Sequence, residues 1–425
     1  MNEKLLQFIW QFQYFNKSNL VTADGAQLQI IHPGYLNTNQ GPDFLEAKIK
    51  TGNTIWVGSI EIHTQSSQWN HHKHTGDVNY TNVILHVVWE NDIPVKDINQ
   101  QNIATLELHQ LVPKIMLQQY EQLMHSQGFV PCEKYLPAIT EMSWLSWKER
   151  LVAERLQQKA NHVLDLLRQS NNHWEEVFWW LLARNFGIKV NADVFEQMAK
   201  SIPLNILAKH KNQVNQLEAL LFGQAELLAG IFKDDYPQLL QREYRFLAAK
   251  YKLKPISKAP DFLRMRPANF PTIRLAQLAM LVFQSTHLFS RVLEIKDINK
   301  LRKLLNITAN DYWHYHYMPD VETAYKPKTL GRTMVDNIII NTIVPVLFAY
   351  GSHHKEQQWK DRAILYLTQL PPEQNAITKQ WKTFNVSNEN AFDSQALIEL
   401  KNNFCTHKLC LSCAVGNKIL KRGEP

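Results

Sequence analysis

The hydrophobic and polar positions of residues 43–64 predict a β-hairpin. Side chains alternate between the two faces of a strand, and this pattern places on one face Asp43, Leu45, Ala47 and Ile49. The triplet at 51–53 has Gly52 at its centre, where a turn requires a positive φ. The sequence therefore predicts two strands joined by a turn centred on Gly52.

The register of this hairpin decides which side chains meet across it. A turn with this centre pairs Lys50 with Thr54, and the continued ladder places Asp43 opposite Glu61. Cross-strand partners have Cβ atoms about 5 Å apart, so two carboxylates would meet at the open end of the hairpin. His63 follows Glu61 by two residues and points to the same side. The register predicts that these three side chains form a metal-binding group. A shift of one residue in the strand pairing would separate them.

The other patterns in the first 110 residues complete a small α/β unit. Apolar residues recur at helical spacing over 3–16, and a short strand is predicted at 28–31. Residues 66–80 are polar and rich in histidine, and they precede a buried strand at 83–89 and a further strand at 105–108. The order helix, strand, hairpin, crossover and strand predicts a mixed sheet.

Beyond residue 140 the periodicity becomes helical. Helices are predicted at 172–185, 217–232, 239–251, 275–283, 335–350 and 391–401. The sequence therefore predicts an α+β protein in three parts. These are a small mixed-sheet α/β core over 1–130, a basic and mostly α-helical domain over 140–400, and a cysteine-rich C-terminal segment over 401–425.

Composition places the chain among globular proteins, because 45% of its residues are hydrophobic and 20% are charged. The first 20 residues have no apolar run that ends in small residues, so no signal peptide is predicted. The most apolar run, 338–350, contains Asn341 and Pro345 and is too short to span a bilayer. We therefore expect a cytoplasmic protein without a membrane partner.

The net charge of +7 is unevenly distributed along the chain. Residues 1–130 carry 7 basic and 11 acidic side chains, whereas the rest of the chain carries 39 and 28. An acidic module joined to a basic one suits an enzyme that binds a divalent metal in one part and a polyanion in the other. Solvated basic helix surfaces are an equally good explanation of the charge alone.

Pro42-Asp43 and, on the next strand, Glu61-Ile62-His63 resemble the motif of the PD-(D/E)xK nuclease superfamily. The predicted order of elements over the first 110 residues also resembles the core of that superfamily. The resemblance implies hydrolysis of nucleic-acid phosphodiesters, with Asp43, Glu61 and His63 as catalytic residues and Mg²⁺ or Mn²⁺ held by the two acids. His63 stands at the place of the usual lysine. A neutral imidazole can accept a proton or bind metal, but it lacks the charge of a lysine.

A wider set of residues is similar to an uncharacterised bacterial family with a domain of unknown function. The set comprises residues 58–63, Trp69, His72, His74, Asp77, Tyr80 and 85–87.

In the nuclease superfamily an acid on the N-terminal helix is often a further metal ligand, and Glu3 is the candidate here. The expected partner is nucleic acid, DNA more than RNA.

Seven of the seventeen histidines lie between positions 63 and 125, and four of them are crowded into the first twelve of these positions. Imidazoles at this density beside an aspartate suggest zinc. However, the histidines at 71–74 lack the i, i+4 spacing of a helical zinc site, and the sequence has no HExxH motif. We expect His72 or His74 to contact phosphate, and His86 to be a hydrogen-bonded core residue.

The four cysteines are Cys132, Cys405, Cys410 and Cys413. In a cytoplasmic protein, three within nine residues indicate metal or cluster ligands rather than disulfides. Some nucleases of the same superfamily carry one upstream and three downstream cysteines around a [4Fe–4S] cluster, and the order here resembles theirs. A zinc site with His407 in place of Cys132 is an alternative, and so are four buried reduced thiols.

Two arginines, Arg264 and Arg266, lie in a loop that prolines stiffen, and Arg274 follows on a predicted helix. Arginine presents forked donors that suit a phosphate backbone, so these residues are candidates for nucleic-acid binding. A solvated helix face beside a structural proline loop explains them equally well.

Three functions are consistent with these patterns. The first is a metal-dependent nuclease whose basic helical domain holds nucleic acid. The second is a non-catalytic nucleic-acid- or protein-binding scaffold that retains the nuclease core only as a fold. The third is a zinc hydrolase that uses the histidines on a small molecule.

Overall fold

The computed structural model describes residues 1–263, 265–285 and 287–421, so Arg264 lies outside the described residues. The strands are β1 Leu28–His32, β2 Tyr35–Leu36, β3 Phe44–Thr51, β4 Thr54–Gln65, β5 Val83–Glu90, β6 Thr105–Glu107, β7 His316–Met318 and β8 Val321–Glu322. The α-helices are α1 Glu3–Phe12, α2 Gln68–His71, α3 Lys114–His125, α4 Glu141–Gln169, α5 Trp174–Phe186, α6 Ile188–Lys200, α7 Leu204–His210, α8 Val214–Gln224, α9 Asp235–Tyr251, α10 Pro271–Gln284, α11 Leu288–Glu294, α12 Ile298–Leu304, α13 Tyr312–Tyr315, α14 Arg332–Ile338, α15 Val344–His354, α16 Gln357–Gln369, α17 Ala376–Thr383, α18 Ala391–Glu399 and α19 Ala414–Lys421. A mixed sheet followed by a mostly helical chain confirms the predicted α+β class.

The first six strands form one mixed sheet with the order β1-β3-β4-β5-β6, and β2 also pairs with β3. The partners of β3 are antiparallel to it, whereas β5 is parallel to β4 and β6 is parallel to β5. A parallel pair requires a crossover connection, and residues 66–82 provide it between β4 and β5. This crossover contains three of the four crowded histidines, and the fourth, His63, lies on β4.

Helix α1 packs against the sheet through its apolar face. The Asn2 side chain caps its first turn by accepting from the Leu5 N–H, and the helix ends where Gln13 adopts a left-handed conformation (φ 53°). The buried residues of the helix are Leu5, Leu6, Phe8, Ile9 and Trp10. Its polar side carries Glu3 and Gln7, which are only partly exposed.

The register of the β3–β4 hairpin differs from the prediction near its turn. Thr51 pairs with Thr54 and Lys50 pairs with Ile55, so the predicted pairing of Lys50 with Thr54 is wrong. The turn has two central residues rather than three, and the first of them, Gly52, takes the positive φ (57°). Glycine at the first central position is typical of a type II′ hairpin turn. With this two-residue turn, Thr51 belongs to the ladder and pairs with Thr54.

A β-bulge then shifts the register of β3 by one residue. Leu45 and Glu46 stand opposite Ser59 alone, between the Phe44 and Ala47 pairings, and Glu46 adopts a positive φ of 58°. The bulge turns Leu45 toward solvent, where it is 40% exposed. The predicted face shared by Leu45 and Ala47 is therefore wrong.

The bulge also restores the pairing on which the predicted site depends. Beyond it Phe44 pairs with Ile60, so the next position, Asp43, faces Glu61. A regular strand continuing from the observed turn would instead set Asp43 opposite Ile62.

The described chain divides into two compact units. The first comprises Met1–Trp147, Gln380–Val386 and the residues from Ile398 onward. Within it α19 packs against α3, and the Tyr14 hydroxyl donates to Asn417 Oδ1 (2.7 Å). The cysteine-rich segment is therefore built into the same unit as the mixed sheet.

The second unit, Lys148–Lys379 with Ser387–Leu397, is helical apart from the small hairpin of β7 and β8. The helix pairs α5–α6, α8–α9 and α15–α16 pack along its core. Residues 332–354 form one apolar helix that is interrupted by a π-helical turn, Ile339–Ile343. By length and composition this helix is able to cross a membrane, but 83% of its apolar window is buried within the protein, as in the core helix of a globular unit.

Candidate metal centre

Asp43 and Glu61 lie at the open end of the hairpin, and each carboxylate is held by a backbone N–H of the other arm. The Asp43 N–H donates to Glu61 Oε2 (3.1 Å), and the Ile62 N–H donates to Asp43 Oδ2 (3.0 Å). These reciprocal hydrogen bonds fix both acids at one place, with Glu61 only 5% exposed. The structure thus brings together the two acids that the strand pattern singled out.

Three imidazoles converge beside Glu61. Glu61 Oε1 lies 3.5 Å from His63 Nε2 and 3.4 Å from His74 Nε2, and His72 Nδ1 lies 3.1 Å from His63 Nε2. Ligand atoms of the three histidines all lie within 4.8 Å of one another. Among the residues that the structure describes, this is the one group of three or more His, Cys, Asp or Glu with that spacing.

A fourth imidazole supports the group from the neighbouring strand. His86 is fully buried on β5, and its Nε2 lies 2.8 Å from His63 Nδ1. This contact orients the His63 ring so that Nε2 faces Glu61, as a hydrogen-bond partner does for a metal-ligating histidine. His86 is therefore a hydrogen-bonded core residue that also positions His63.

Burial raises the pKa of both carboxyl groups. The pKa of Glu61 rises to about 9 and that of Asp43 to about 7, with desolvation as the largest cause. The charge of Asp43 raises the pKa of Glu61 further, and the charge of Glu3 raises both. Glu61 therefore holds a proton at neutral pH unless a cation replaces it.

The pKa values of three buried imidazoles shift in the opposite direction. Burial lowers the pKa of His63 to about 2, that of His86 to about 3 and that of His74 to about 4. The neighbouring histidines lower these pKa values further. The rings are consequently neutral at physiological pH, which leaves their nitrogen lone pairs available to a metal.

Two aromatic residues of the crossover form walls of the site. The Tyr80 ring stacks on His74 with 3.8 Å between centroids, and burial, together with the nearby carboxylates, raises the pKa of its hydroxyl to about 12. Trp69 is 1% exposed and packs against His74 and His86. Tyr80 thus retains its proton beside the carboxylates.

Sequence reasoning missed Gln7, whose Nε2 donates to Asp43 Oδ1 (2.8 Å). Glu3 precedes it by one helical turn and lies close enough to raise the pKa of Asp43. Both residues lie on the polar side of a helix whose other face is buried. Their i, i+4 spacing is the sequence signal that would have identified Gln7.

This donor set fits a divalent transition metal. It offers neutral imidazole nitrogens and a carboxylate oxygen, with a second carboxylate beside them. His74 Nε2 is buried without a hydrogen-bond partner, which is the state of a group that a bound ion would complete. His72 is exposed, so one side of the group is open to solvent, as in catalytic metal sites.

A family model described as a protein of unknown function (DUF2851) matches residues 3–376. The chain belongs to this family. The residues matched by DUF2851 include the whole candidate metal centre and Cys132, and they end before the other three cysteines. No curated protein and no solved structure matches the chain.

The four cysteines of this DUF2851 protein come together in the first unit, and none forms a disulfide. Cys132, Cys410 and Cys413 are each 7% exposed. Burial raises the pKa of all four thiols, and the other three cysteines raise that of Cys405 further. Such mutual effects require the sulfur atoms to be neighbours.

Hydrogen-bond donors surround the Cys413 sulfur. The Trp147 indole and the backbone N–H groups of Val415 and Gly416 all donate to it and oppose the rise of its pKa. Donors directed at a buried sulfur stabilise the thiolate form, and such contacts tune the thiolate ligands of metal clusters. The cysteines therefore fit a metal or cluster.

The arginines predicted to bind nucleic acid lie in different surroundings. Arg266 is exposed just before the short 3₁₀ turn Pro267–Asn269. Arg274 is only 7% exposed on α10, where its guanidinium donates to Gln277 Oε1 (2.9 Å) and Asn269 Oδ1 (2.5 Å). It lines an open cavity of the helical unit. A role of either arginine in nucleic-acid binding stays a prediction.

Proposed function

We propose that the protein is a hydrolase of nucleic-acid phosphodiesters that depends on a divalent metal. The observation that carries the proposal is the convergence of Glu61 Oε1 on the Nε2 atoms of His63 and His74, beside Asp43. The likeness of the Pro42-Asp43 and Glu61-Ile62-His63 motifs to PD-(D/E)xK nucleases supports the substrate class.

Glu61, His63, His72 and His74 would hold the ion, with Asp43 next to them. A bound divalent ion supplies a water of lowered pKa and polarises a phosphoryl oxygen. Asp43, with a pKa of about 7, is suited to take a proton from an attacking water at neutral pH. Tyr80 keeps its proton and is suited to donate it in a hydrogen bond to a phosphate oxygen.

The chemistry of the donors favours Mn²⁺ or Zn²⁺ over Mg²⁺. Magnesium prefers oxygen ligands in octahedral array and retains several waters, whereas imidazole suits transition metals. Three of the four nearest donors are imidazoles. We therefore expect Mn²⁺ to support greater activity than Mg²⁺.

The test is cleavage of labelled single- and double-stranded DNA and RNA in the presence of Mn²⁺, together with Mn²⁺ binding by calorimetry. Asp43→Asn and Glu61→Gln should each lower the cleavage rate at least about 100-fold, because each removes a group at the metal. Glu46→Gln removes a carboxylate from the same strand outside the site and is the matched control. Nucleic-acid binding without cleavage in the unmodified protein would favour the scaffold function instead.

A second candidate is a zinc hydrolase that acts on small molecules, and the spacing of the three imidazoles favours it. This function requires about one zinc ion per chain, lost in His74→Ala. Hydrolysis of bis(p-nitrophenyl) phosphate with no cleavage of DNA or RNA would select it over the nuclease.

The same proposal extends to the cysteines, which would hold a [4Fe–4S] cluster. Four thiolates about 2.3 Å from one zinc ion lie about 3.8 Å apart. In the described part of the chain no set of three cysteines has the 4.8 Å mutual spacing of the histidines. Wider spacing of buried thiols suits a cluster of several metal ions better than a single zinc.

An absorption spectrum of protein purified without oxygen, with iron and zinc analysis, tests the cluster independently of activity. We expect a brown protein that loses iron in Cys132→Ser and in Cys413→Ser. His407→Ala alters the exposed alternative ligand and should leave the iron content unchanged. A colourless protein with zinc that His407→Ala removes would establish a zinc site instead.

A further inference from the structure

The helical unit contains a cavity of about 910 Å³. Helices α4, α5, α6, α10 and α14 contribute to its wall, together with the segment 326–331. Pockets that bind small molecules have volumes of about 300–1,000 Å³, so this cavity has the size of a ligand site.

The lining of this cavity is positively charged. It contains six lysine or arginine side chains and no aspartate or glutamate: Lys159, Arg184, Lys189, Arg274, Lys326 and Lys328. Arg184 is neutralised by Asp193 and Glu196 outside the lining. Unlike Arg184, the side chains of Arg274 and Lys328 are buried and have no carboxylate partner in the described parts of the chain.

No carboxylate of the described residues forms an ion pair with Arg274. Its two terminal nitrogens donate to the neutral side chains of Gln277 and Asn269, and its Nε is buried without a hydrogen-bond partner. Burial lowers the pKa of this arginine to about 10, which reflects the unfavourable desolvation of its charge. A buried cation without a partner is strongly destabilising, and an anionic ligand relieves it.

Lys328 is 4% exposed and provides a second cation in the same lining. Its Nζ donates to the carbonyl oxygens of His314 (3.2 Å) and Lys326 (3.1 Å), and it lies 3.9 Å from the centroid of the Tyr317 ring. These partners satisfy hydrogen bonds but carry no negative charge. Gln277 Nε2 donates to the Lys328 carbonyl (3.1 Å) and so connects this residue to Arg274.

The rest of the wall suits an organic body. Apolar residues of the lining include Val163, Leu181, Ile188, Ile273, Met334 and Pro345. The amides of Asn337 and Asn341 stand among them, and Lys189 and Lys326 are exposed. Apolar walls with a few polar groups are typical of small-molecule sites.

We propose that this cavity binds a small organic phosphate of nucleotide size. Its phosphate would lie against Arg274 and Lys328, and its organic part against the apolar and amide wall. The arginine fork matches phosphate oxygens, and lysine adds a point charge. This site consists only of residues of the helical unit, so it is independent of the metal centre.

Calorimetry and thermal shift of the full-length protein test the site with AMP, ATP, adenosine and inorganic phosphate as probes. We expect a nucleotide to bind and raise the melting temperature, and adenosine to bind at least about tenfold more weakly. Arg274→Gln and Lys328→Met should each lower the nucleotide affinity at least about tenfold. Lys303→Met changes an exposed lysine outside the cavity and is the matched control.

Variants of the exposed lysines at the rim of the cavity provide a second test that does not disturb the fold. Lys189→Ala combined with Lys326→Ala changes only exposed side chains and should also weaken nucleotide binding. The proposal is overturned if no phosphorylated probe binds at millimolar concentration, or if these variants bind as the unmodified protein does. Binding of a single-stranded oligonucleotide without binding of any nucleotide would likewise overturn it, in favour of a nucleic-acid surface.

Discussion

Glu61 would link the folding of the protein to the occupancy of the candidate metal centre. The side chain is almost fully buried, and its carboxylate lies beside Asp43 and two neutral imidazoles. Without a cation the group favours its protonated form, whereas metal binding requires the carboxylate. The charge of one side chain therefore couples pH, metal and stability.

This coupling gives a pH dependence in the metal-free protein. Above pH 4.5 the unfolded chain releases the Glu61 proton, whereas the folded chain retains it up to a pKa of about 9. The free energy of unfolding should therefore fall by about 2 kcal/mol between pH 7 and pH 9. Urea unfolding in the presence of EDTA measures this change.

Glu61→Gln is the control for the pH dependence, because an amide does not titrate. This variant should lose most of the decrease between pH 7 and pH 9. Mn²⁺ should stabilise the unmodified protein more at pH 9 than at pH 6, because at pH 9 a smaller fraction of Glu61 must release a proton when the metal binds. A metal-free protein whose stability is constant from pH 7 to pH 9 would contradict the burial of this acid.

His86 affords a second test at the residue scale. His86→Leu removes the ring 2.8 Å from His63 Nδ1 and fills the same buried position with an apolar side chain. Metal affinity should fall about 10- to 100-fold while the fold persists, because His63 loses its orienting partner. Calorimetric titration with Mn²⁺ and circular dichroism measure the two effects.

His109→Leu, at an exposed position beyond β6, is the matched control and should leave metal affinity unchanged. Equal affinity in both variants would show that His86 only fills space.

At the scale of the element, the bulge in β3 decides whether the site exists. Two irregularities act in sequence along the hairpin: a two-residue turn that moves the ladder by one position and a bulge that moves it back. Side chains alternate along a strand, so either irregularity alone would turn Asp43 away from Glu61. The positive φ of Glu46 is therefore required by the chemistry of the site.

Glu46→Ile should remove metal binding. A β-branched side chain disfavours a positive φ, so β3 would lose its bulge, pair regularly with β4 and set Asp43 opposite Ile62, and Mn²⁺ affinity should fall at least about 100-fold. Circular dichroism should still report a folded sheet, since the residues between the bulge and the turn keep their faces. Glu46→Gly is the matched variant: glycine adopts a positive φ readily, and this protein should bind Mn²⁺ as before.

The positions of β3, β4 and β5 could be predicted from the sequence, but the path of β3 could not. The alternation over 43–64 and the apolar run at 83–89 correspond to β3, β4 and β5, because burial of one or both faces determines these patterns. The bulge has no signal of this kind, since it places a glutamate rather than a glycine at a positive φ. Asp43 faces Glu61 as predicted, although the turn register behind this prediction is wrong by one residue, because the bulge cancels the difference.

At the scale of the whole molecule, the first unit is assembled from both ends of the chain. Removing the residues from Ile398 onward takes away α19, which packs against α3, and Asn417, which accepts the Tyr14 hydroxyl. Backbone amides of β3, β4 and β5 should then exchange hydrogen at least about tenfold faster, because their unit has lost part of its core. Hydrogen–deuterium exchange with mass spectrometry measures this.

The helices α5, α8 and α10 of the truncated chain provide the internal control. They lie in the second unit, so their exchange should change little. Equal loss of protection in these helices and in the sheet would show that the two units unfold as one.

Long-range assembly also explains what sequence reasoning could not supply. The spacing of Cys405, Cys410 and Cys413 indicates ligands, but nothing local links them to Cys132. The basic cavity likewise depends on the packing of helices that are far apart in the sequence, so no single segment identifies its lining. Contacts between distant segments leave no periodic pattern.

The divided origin of the cysteine group has a consequence for synthesis of the chain. Cys132 emerges from the ribosome long before the three other thiols, with the whole helical unit translated in between. A nascent or prematurely terminated chain therefore lacks three of the four cysteines. If iron binds this group, it can bind only after the three C-terminal cysteines have been synthesised. The brown colour of a preparation would therefore report only full-length polypeptides.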